Sequence, residues 1–448
     1  MHVMKNSPER NNRVRRVTVQ LLTNAERSGL FIDHELETLL AREALPRRDR
    51  ALVTMLVNGV TRMRMRLDFE ISHYYQREYE RAPVLLKNIF RTAFYQSEFL
   101  DRIPDYAIIS ESVDLAKRYF GKERSGLVNA ILRERQRQPV IWPPPEVVLR
   151  DLDLLAAYSS HPRWLLEKWL KRMPVTEVME LGEANNRVPA VTLRVVRPDI
   201  NSEEFEKHLR TWNIPVEKLA DVPHFYRLGG RIDLHSLAAM RQGLCVVQDA
   251  SAGLAGMLMA AQAGERIYDL CAAPGGKALQ MAEHGAEVIA VEINALRARL
   301  IEEASARIST PVKVIEADAT IFEAEPADGV LVDAPCSGLG VLSRRADLRW
   351  QRRAEDFTQL QSLQLRLLDN AARLVKPGGR VIYSTCTIEP EENEIVVHEF
   401  LQKHPEFQVV SAKAFVDGSF CDESGFIRTL PHIHNLDGNF AARLMRLK

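Results

Sequence analysis

Cysteine is scarce in this chain of 448 residues, and no two of its cysteines have the C-x-x-C spacing of a zinc ribbon. The five cysteines are Cys245, Cys271, Cys336, Cys386 and Cys421. An odd and sparse set of this kind argues against a disulfide scaffold and indicates the reducing cytoplasm. We therefore expect no disulfide framework and no metal centre.

Long apolar runs are also absent. No stretch reaches the roughly 18 apolar residues of a transmembrane helix, and the first residues, MHVMKNSPERNNRVRR, are polar and basic with no apolar signal region behind them. We expect a cytoplasmic protein with no membrane partner. With 46% hydrophobic residues, the chain has material for about two to four domains and at least one large core.

Net charge is zero overall but is unevenly distributed. Residues 1–150 hold 26 Lys and Arg against 19 Asp and Glu, a net of +7, and the remainder carries a net of −7. Arginine dominates the basic residues of the first part, and its planar, permanently charged fork suits phosphate contacts. A solvated helical surface explains this modest excess equally well. In the stretch TRMRMR, positions four apart share a helix face, so we expect Arg62 and Arg66, more than Arg64, to contact phosphates.

Three regions of the chain differ in their pattern. Helical spacing runs through residues 13–138, and the three prolines at 143–145 then stop any helix and predict a stiff linker. Residues 151–240 mix helical and strand patterns and predict a small α+β domain. After about residue 245, apolar strands alternate with helices, which predicts a doubly wound, mostly parallel sheet. We expect three domains, at 1–140, 141–240 and 241–448.

The motif DLCAAPGGK follows the first strand of the third region and opens a helix. Gly275 and Gly276 let a ligand approach the backbone, and the helix N-terminus supplies N–H donors. The glycines do not spell G-x-G-x-x-G, so the dinucleotide fingerprint is lacking. So short a loop suits a nucleoside cofactor without phosphates, which favours S-adenosylmethionine over NAD.

Acidic residues end the next two strands. Glu292 ends the second strand, where a carboxylate accepts hydrogen bonds from ribose hydroxyls. Asp318 ends the third strand, within reach of the base. Either acid alone could do no more than cap a loop, but acids at successive strand ends in this order favour a nucleoside site.

Two cysteines lie at the ends of the following strands. VDAPCSG places Asp333 and Cys336 after the fourth strand, and YSTCT places Cys386 after the next. Either thiol alone would usually be a buried structural cysteine. Together they suit methylation of cytosine at C5, in which a thiolate adds to C6 and makes C5 nucleophilic. A carboxyl group such as Asp333 would assist at N3, and a second cysteine or a base would serve release. The residues alone do not say which cysteine is the nucleophile.

Taken together, DLCAAPGGK, VDAPCSGLG, the Arg-Trp pair at 349–350, KPGG and YSTCTIEPEENE resemble the RNA cytosine-5 methyltransferases of the Nol1/Nop2/Sun group. The stretches DRALVTMLVNGVTR, DRIPDY and GLVNAILR resemble the NusB-like RNA-binding domain of its bacterial Fmu/Sun branch. The resemblance implies an all-α NusB-like N-terminal domain, a small α+β middle domain and a Rossmann-like methyltransferase domain. It further implies a cytoplasmic enzyme that modifies a cytosine of 16S ribosomal RNA, and we expect it to be a monomer.

The same resemblance assigns roles to residues. It implies that Cys386, in the Thr-Cys motif, is the nucleophile and that Cys336, in the Pro-Cys motif, assists product release, with Asp333 near the target base. It also implies which residues hold S-adenosylmethionine: Cys271, Ala272, Ala273, Pro274, Gly275, Gly276, Lys277, Glu292, Asp318 and Asp333.

Other functions stay open at this point. The substrate could be tRNA, another RNA or DNA, and the chain could be a non-catalytic NusB-like RNA-binding factor. The presence of both cysteines and of the strand-end acids counts against the second possibility. An NAD-dependent oxidoreductase would need the missing glycine fingerprint.

Overall fold

The computed structural model describes residues 8–43, 45–75, 78–212, 215–230 and 237–448. The chain forms two compact units. Unit 1 contains Met1–Arg187 and the short segment Arg345–Gln351, and unit 2 contains Val188–Arg344 and Arg352–Lys448. Throughout the described ranges, no helix combines the length and the apolar character that crossing a membrane would need.

Unit 1 is helical. The helix α1 buries Val14, Val17 and Leu21, whose three- and four-residue spacing places them on one face, and the predicted helical pattern up to residue 138 is confirmed. Further helices continue to residue 186, so the α+β pattern expected from residue 151 begins only after them. The helices are α1 Pro8–Ser28, α2 Ile32–Arg42, α3 Arg47–Arg62, α4 Arg64–Tyr74, α5 Val84–Phe99, α6 Asp105–Phe120, α7 Lys122–Arg137, α8 Pro145–Val148, α9 Leu152–Ser159, α10 Arg163–Leu170, α11 Val175–Asn186 and, in the short segment, α17 Leu348–Gln351.

The proline-rich stretch after α7 is packed against the helices and does not act as a free spacer. Trp142 stacks on Phe69 with ring centroids 4.8 Å apart, and its Nε1–H donates to Glu70 Oε1 at 3.0 Å. Burial and the neighbouring Glu98 raise the pKa of Glu70 to about 7. A cut at residue 140 would therefore separate packed side chains, and the three predicted domain ranges stay predictions.

The arginines of the TRMRMR stretch are structural. Arg62 is buried. Arg66 pairs with Glu98 at 2.8 Å and lies over the Trp142 ring, 4.8 Å from its centroid. The prediction that Arg62 and Arg66 face a phosphate backbone is therefore wrong, because both side chains pack inside the helical unit, Arg62 at the end of α3 and Arg66 on α4.

The Arg-Trp pair at 349–350 also belongs to the interior of unit 1. Arg349 is fully buried and donates to the carbonyl oxygen of Ser160 at 3.0 Å and to Asn186 Oδ1 at 2.8 Å. The Nε1–H of Trp350 donates to the carbonyl oxygen of Thr61 at 2.7 Å. This pair consequently stabilises the fold of unit 1.

Unit 2 begins with a four-stranded antiparallel sheet in the order β2-β3-β1-β4. Phe205, on the helix between the first two strands, packs on Tyr226 of the sheet with centroids 5.0 Å apart. The small α+β region predicted from the sequence is confirmed in this part. Its elements are β1 Val191–Val195, α12 Pro198–Thr211, β2 Val216–Lys218, β3 Phe225–Leu228, α13 Ala238–Arg241 and β4 Cys245–Val247.

The second sheet has eight strands in the order β10-β12-β9-β8-β5-β6-β7, with β11 paired to β12. Strands β5 to β9 are parallel and β10 to β12 are antiparallel, which confirms the predicted doubly wound, mostly parallel architecture. The elements are α14 Ala250–Met259, β5 Arg266–Leu270, α15 Gly276–Ala282, β6 Glu287–Glu292, α16 Ala295–Ile308, β7 Lys313–Glu316, β8 Ala327–Asp333, α18 Asp356–Leu374, β9 Val375–Thr385, α19 Glu394–Lys403, β10 Phe407–Val410, β11 Ile427–Thr429, α20 Pro431–His434 and β12 Asn439–Arg446.

Strand register brings the predicted site residues to one edge of this sheet. Leu270 lies beside Val291 on one side and Val332 on the other, and Val332 lies beside Tyr383. Strands β5, β6, β8 and β9 therefore end at the same level of the sheet, and the loops that follow them lie side by side. Ligands bind at the carboxyl edge of such sheets. Helices α14 to α16 cover one face of the sheet, and α18 and α19 cover the other.

Candidate active site

The loop Cys271–Lys277 has the tight conformation that its glycines suggest. Cys271 and Gly275 have left-handed backbone angles, with φ of 66° and 99°. A Cβ atom on Gly275 would lie 3.0 Å from Ile301 Cγ2, a tight contact, and the positive φ itself favours glycine there. Helix α15 begins at Gly276, and its first N–H groups therefore lie at this loop.

Glu292 is buried at the end of β6 and holds this loop. Its Oε2 accepts the backbone N–H of Ala273 at 3.3 Å, and its Oε1 accepts the backbone N–H of Asn294 at 3.1 Å. Arg297 donates to the carbonyl oxygen of Ala273 at 2.8 Å. The carboxylate thus fixes the loop, and each of its oxygens keeps a second lone pair for a ligand.

Asp318 lies two residues beyond the end of β7 and is exposed. Its Oδ1 accepts both the backbone N–H and the hydroxyl of Thr320, each at 2.8 Å. These hydrogen bonds lower the pKa of Asp318. Ile321 follows with 70% of its surface exposed, which provides an apolar contact beside the carboxylate.

Lys277 and Asp333 form a close ion pair, with Nζ and Oδ2 2.6 Å apart. Burial opposes the ammonium charge, but the attraction of Asp333 and its hydrogen bond hold the pKa of Lys277 above its usual value. Asp269, fully buried one residue before the end of β5, was not among the predicted site residues. Burial, followed by repulsion from Asp333, raises the pKa of Asp269 well above its usual range. Asp269 is the first residue of the DLCAAPGGK motif, and this position was the signal in the sequence that could have identified it.

The thiols of Cys336 and Cys386 are in contact, with their Sγ atoms 3.3 Å apart. The hydrogen bond between the two thiols lowers the pKa of Cys386, and the nearby Lys277 ammonium lowers it further. The same hydrogen bond, with burial, raises the pKa of Cys336 well above its usual value. Of the two thiols, Cys386 is therefore the one that ionises more readily.

The other three thiols have no such activation. Burial raises the pKa of Cys245 to about 12 and that of Cys271 to about 12, and it also raises the pKa of Cys421. A thiolate, not a thiol, is the nucleophile. Of the five cysteines, Cys386 is thus the one whose pKa is lowered.

The loops that carry the two reactive thiols are joined to each other. The hydroxyls of Ser337 and Thr387 are 2.8 Å apart, and the N–H of Gly340 donates to the carbonyl oxygen of Cys386 at 3.1 Å. A Cβ atom on Gly340 would collide with the carbonyl oxygen of Gly438, so only glycine allows this approach. The spacing of the two sulfurs is therefore held by the backbone on both sides.

The geometry fits a nucleoside cofactor. Three neighbouring strand ends carry the features that such a cofactor needs. They are the crowded Gly275 with the N-terminus of α15, the carboxylate of Glu292 and the carboxylate of Asp318. Over the described ranges, no three His, Cys, Asp or Glu side chains are grouped to hold a metal ion. Such an arrangement supports methyl transfer to a base activated by a thiolate.

Comparisons with known proteins agree with this geometry. The family described as 16S rRNA methyltransferase RsmB/F matches residues 256–445, the NusB family matches residues 12–137, and the ferredoxin-like domain of RsmF/B-like methyltransferases matches residues 161–235. The chain is 32% identical to the "Probable ribosomal RNA small subunit methyltransferase B" of Synechocystis sp., covering 96% of this chain and 99% of that one.

A second relative and a solved structure extend the same comparison. The "Ribosomal RNA small subunit methyltransferase B" of Salmonella arizonae is 30% identical over 98% of this chain and 100% of its own length. The crystal structure of PH0851 superposes with a TM-score of 0.78 and 25% identity, over 98% of this chain and 99% of that one. The chain belongs to the RsmB/F family of 16S rRNA methyltransferases, with a NusB domain at its N-terminus.

Proposed function

We propose that the chain transfers a methyl group from S-adenosylmethionine to C5 of a cytosine in 16S ribosomal RNA, through a covalent bond between Cys386 and C6 of the base. The contact of 3.3 Å between the two thiols, with the lowered pKa on Cys386, carries this proposal. A thiolate that adds to C6 makes C5 electron-rich, which turns one difficult substitution into two easier steps.

The Lys277–Asp333 pair has two tasks in this reaction. The ammonium of Lys277 stabilises the Cys386 thiolate before attack. Asp333, fixed by its hydrogen bond to Lys277, faces the base. As the thiolate adds to C6, N3 takes up a proton from water and donates it in a hydrogen bond to Asp333, and this proton returns to water when the C6–S bond breaks. S-adenosylmethionine, when bound, supplies the methyl group that C5 accepts.

Cys336 completes the reaction. Once Cys386 is bonded to C6, the acceptor that kept the Cys336 proton in place is gone, and this half-buried thiol releases its proton to water. The Cys336 thiolate then takes the proton from C5. The C5–H electron pair forms the C5=C6 double bond, and the C6–S bond breaks to return the Cys386 thiolate. One proton in total leaves with each methyl group added.

The cofactor site is tested by removing its buried carboxylate. Glu292→Ala should weaken binding of S-adenosylmethionine by about ten- to a hundredfold, because a charged acceptor for the ribose is lost at a cost of ~1.5–3 kcal/mol. Glu316→Ala is the matched control, since Glu316 is the exposed partner of Glu292 on the neighbouring strand. Calorimetry that gives the same affinity for both variants would contradict the ribose role.

We assign RNA docking to the NusB-like part of unit 1. Its net charge supports this role, and the relatives' names describe enzymes of ribosomal RNA. With Arg62 and Arg66 engaged internally, the exposed cations Lys117, Arg118 and Lys122 at the junction of α6 and α7 are better placed for phosphates. The reacting cytosine has to be unstacked, in a loop or flipped out, to reach the thiols.

Substrate and product are tested together. The protein is incubated with methyl-labelled S-adenosylmethionine and, separately, 16S transcript, tRNA or DNA, and the nucleosides are then separated. We expect label in 16S RNA, recovered as 5-methylcytidine. Label recovered at another base position, or in tRNA or DNA alone, would contradict the proposal. Binding of 16S RNA without any methyl transfer would favour the non-catalytic alternative.

A further inference from the structure

The acidic stretch after Cys386 contains a buried carboxylate with no role in the steps above. Glu392 ends a 3₁₀ turn, Pro390–Glu392, and is fully buried. The hydroxyl of Tyr383 donates to its carbonyl oxygen at 2.6 Å, which fixes its backbone. Carboxylates are rarely buried unless they have specific partners. The partners of Glu392 therefore indicate its function.

Those partners lie on the turn that carries Cys336. Glu392 Oε1 accepts the backbone N–H of Ser337 at 2.8 Å and the side-chain amide of Gln364 at 3.0 Å. The same amide of Gln364 donates to the carbonyl oxygen of Pro335 at 2.9 Å. Gln364 is also fully buried. The two side chains thus hold the backbone on both sides of Cys336.

A third side chain holds the remaining carbonyls of the turn. Arg352 donates to the carbonyl oxygen of Cys336 at 3.1 Å and to that of Ser337 at 2.9 Å. Every carbonyl from Pro335 to Ser337 therefore accepts a hydrogen bond from a side chain. This is a turn whose conformation is set by long-range contacts.

The charge of Glu392 does not activate the thiols. A nearby carboxylate opposes formation of a thiolate, and Glu392 acts to raise the pKa of both Cys336 and Cys386. An activating group would have the opposite sign, as Lys277 has for Cys386. The hydrogen bond from one oxygen of Glu392 to the turn therefore explains why this residue is present better than the charge of Glu392 does.

We infer that Glu392, together with Gln364, is a positioning residue for the release step: it holds the Pro335–Ser337 turn so that Cys336 faces Cys386 and the C5 proton of the adduct. The inference rests on the proposed function. Attack is made by Cys386 with Lys277 and Asp333 and is aided by the hydrogen bond from Cys336, whereas proton removal is made by the sulfur of Cys336 itself and needs it at a defined place. Loss of this clamp should therefore slow release more than attack.

The test compares two substitutions of Glu392 in the full chain. Glu392→Ala should lower multiple turnover by about ten- to a hundredfold, because misplacement of a reacting group by about 1 Å has this effect. It should also accumulate a methyl-labelled RNA–protein adduct on denaturing gels. Glu392→Gln should restore most of the turnover, because the amide carbonyl accepts the same two hydrogen bonds. Calorimetry with S-adenosylmethionine checks that each variant is folded at the cofactor site.

Substitutions on α18 provide a matched pair. Gln364→Ala should reproduce the adduct of Glu392→Ala. Gln361→Ala should behave as the wild type, since Gln361 lies one turn earlier on the same helix and donates to Glu399 instead. The double variant Cys336→Ala/Glu392→Ala should hold no more adduct than Cys336→Ala alone, because the group being positioned is already gone.

Several results would overturn the inference. Turnover of Glu392→Ala equal to the wild type would remove the positioning role, and so would loss of turnover without adduct in a variant that still binds cofactor. Equal impairment of Glu392→Gln and Glu392→Ala would assign the role to the charge. Failure of the wild type to methylate any RNA would instead contradict the proposed function itself, so the two failures are distinguishable.

Discussion

Cys386→Ala is expected to abolish methyl transfer, with a loss of at least about a thousandfold, while S-adenosylmethionine still binds. Removal of a catalytic nucleophile has effects of this size or larger because no other group takes over its step. Burial raises the pKa of Cys271 and Cys245 to about 12, so neither can take over this step, and Cys336 is the other thiol at the site. The measurement is incorporation of labelled methyl groups into 16S RNA, with calorimetry of cofactor binding on the same preparation.

The control for this variant is Cys421→Ala. Cys421 is partly exposed and contacts the carbonyl oxygen of Asp417, outside the site. The variant Cys421→Ala should therefore keep full activity. Substantial turnover by Cys386→Ala would transfer the nucleophile to Cys336 and reverse the roles of the two thiols.

Cys336→Ala is expected to trap the enzyme on its RNA. Attack by Cys386 and methyl transfer should proceed, but the C5 proton stays in place, so a slow-migrating RNA–protein band should accumulate on denaturing gels. The band should carry the methyl label. If the double variant Cys336→Ala/Cys386→Ala gave the same band, neither thiol could be its source and the assignment of both would fail.

The same variant has a predicted pH dependence. The hydrogen bond from Cys336 is the largest influence that lowers the pKa of Cys386. Without it, the thiolate forms at higher pH, so adduct formation by Cys336→Ala should be displaced toward alkaline pH relative to the first turnover of the wild type. A displacement toward acid pH would mean that Cys336 does not donate to Cys386.

The clustering of the predicted site residues at one edge of the sheet followed from the sequence, because parallel sheets place successive strand ends together. Apolar strands alternating with helices predicted the sheet, and the register of β8 with β9 then brings Cys336 and Cys386 into contact although they are 50 residues apart. The pattern did not show which thiol would have the lowered pKa. That difference depends on the hydrogen bond between the two thiols and on the position of the Lys277 ammonium, which a linear motif does not contain.

Side chains that act over a distance were missed for a related reason. Gln364 lies in the middle of α18, where helical spacing predicts only a buried face, and nothing local indicates that its amide binds the carbonyl of Pro335. The acidic turn after Cys386 is visible in the sequence, but nothing there indicates that Glu392 accepts a hydrogen bond from the backbone of Ser337.

For the arginines of α3 and α4, the sequence predicted a contact with RNA, whereas the structure shows internal packing. Helical periodicity predicted a shared face for Arg62 and Arg66, but α3 ends at Arg62 and α4 begins at Arg64, and periodicity cannot say which side chains are covered. Because arginine is usually exposed in folded proteins, the sequence favoured a solvent-facing position for these two residues. The pairing of Arg66 with Glu98 and its stacking on Trp142 compensate its charge inside the unit. The packed Trp142 likewise explains why a proline-rich stretch was mistaken for a spacer.

Identification of the sulfur atom that becomes bonded to RNA tests the central claim most directly. The adduct of Cys336→Ala is digested with nuclease and trypsin, and the wild type, denatured during turnover, is treated in the same way. Trypsin separates the two cysteines, because Cys386 lies in residues 381–403 and position 336 lies in residues 314–344. Mass spectrometry should find a methylated cytidine nucleotide on Cys386, in residues 381–403. A nucleotide on Cys336 in residues 314–344 of the wild type, or on neither peptide, would contradict it.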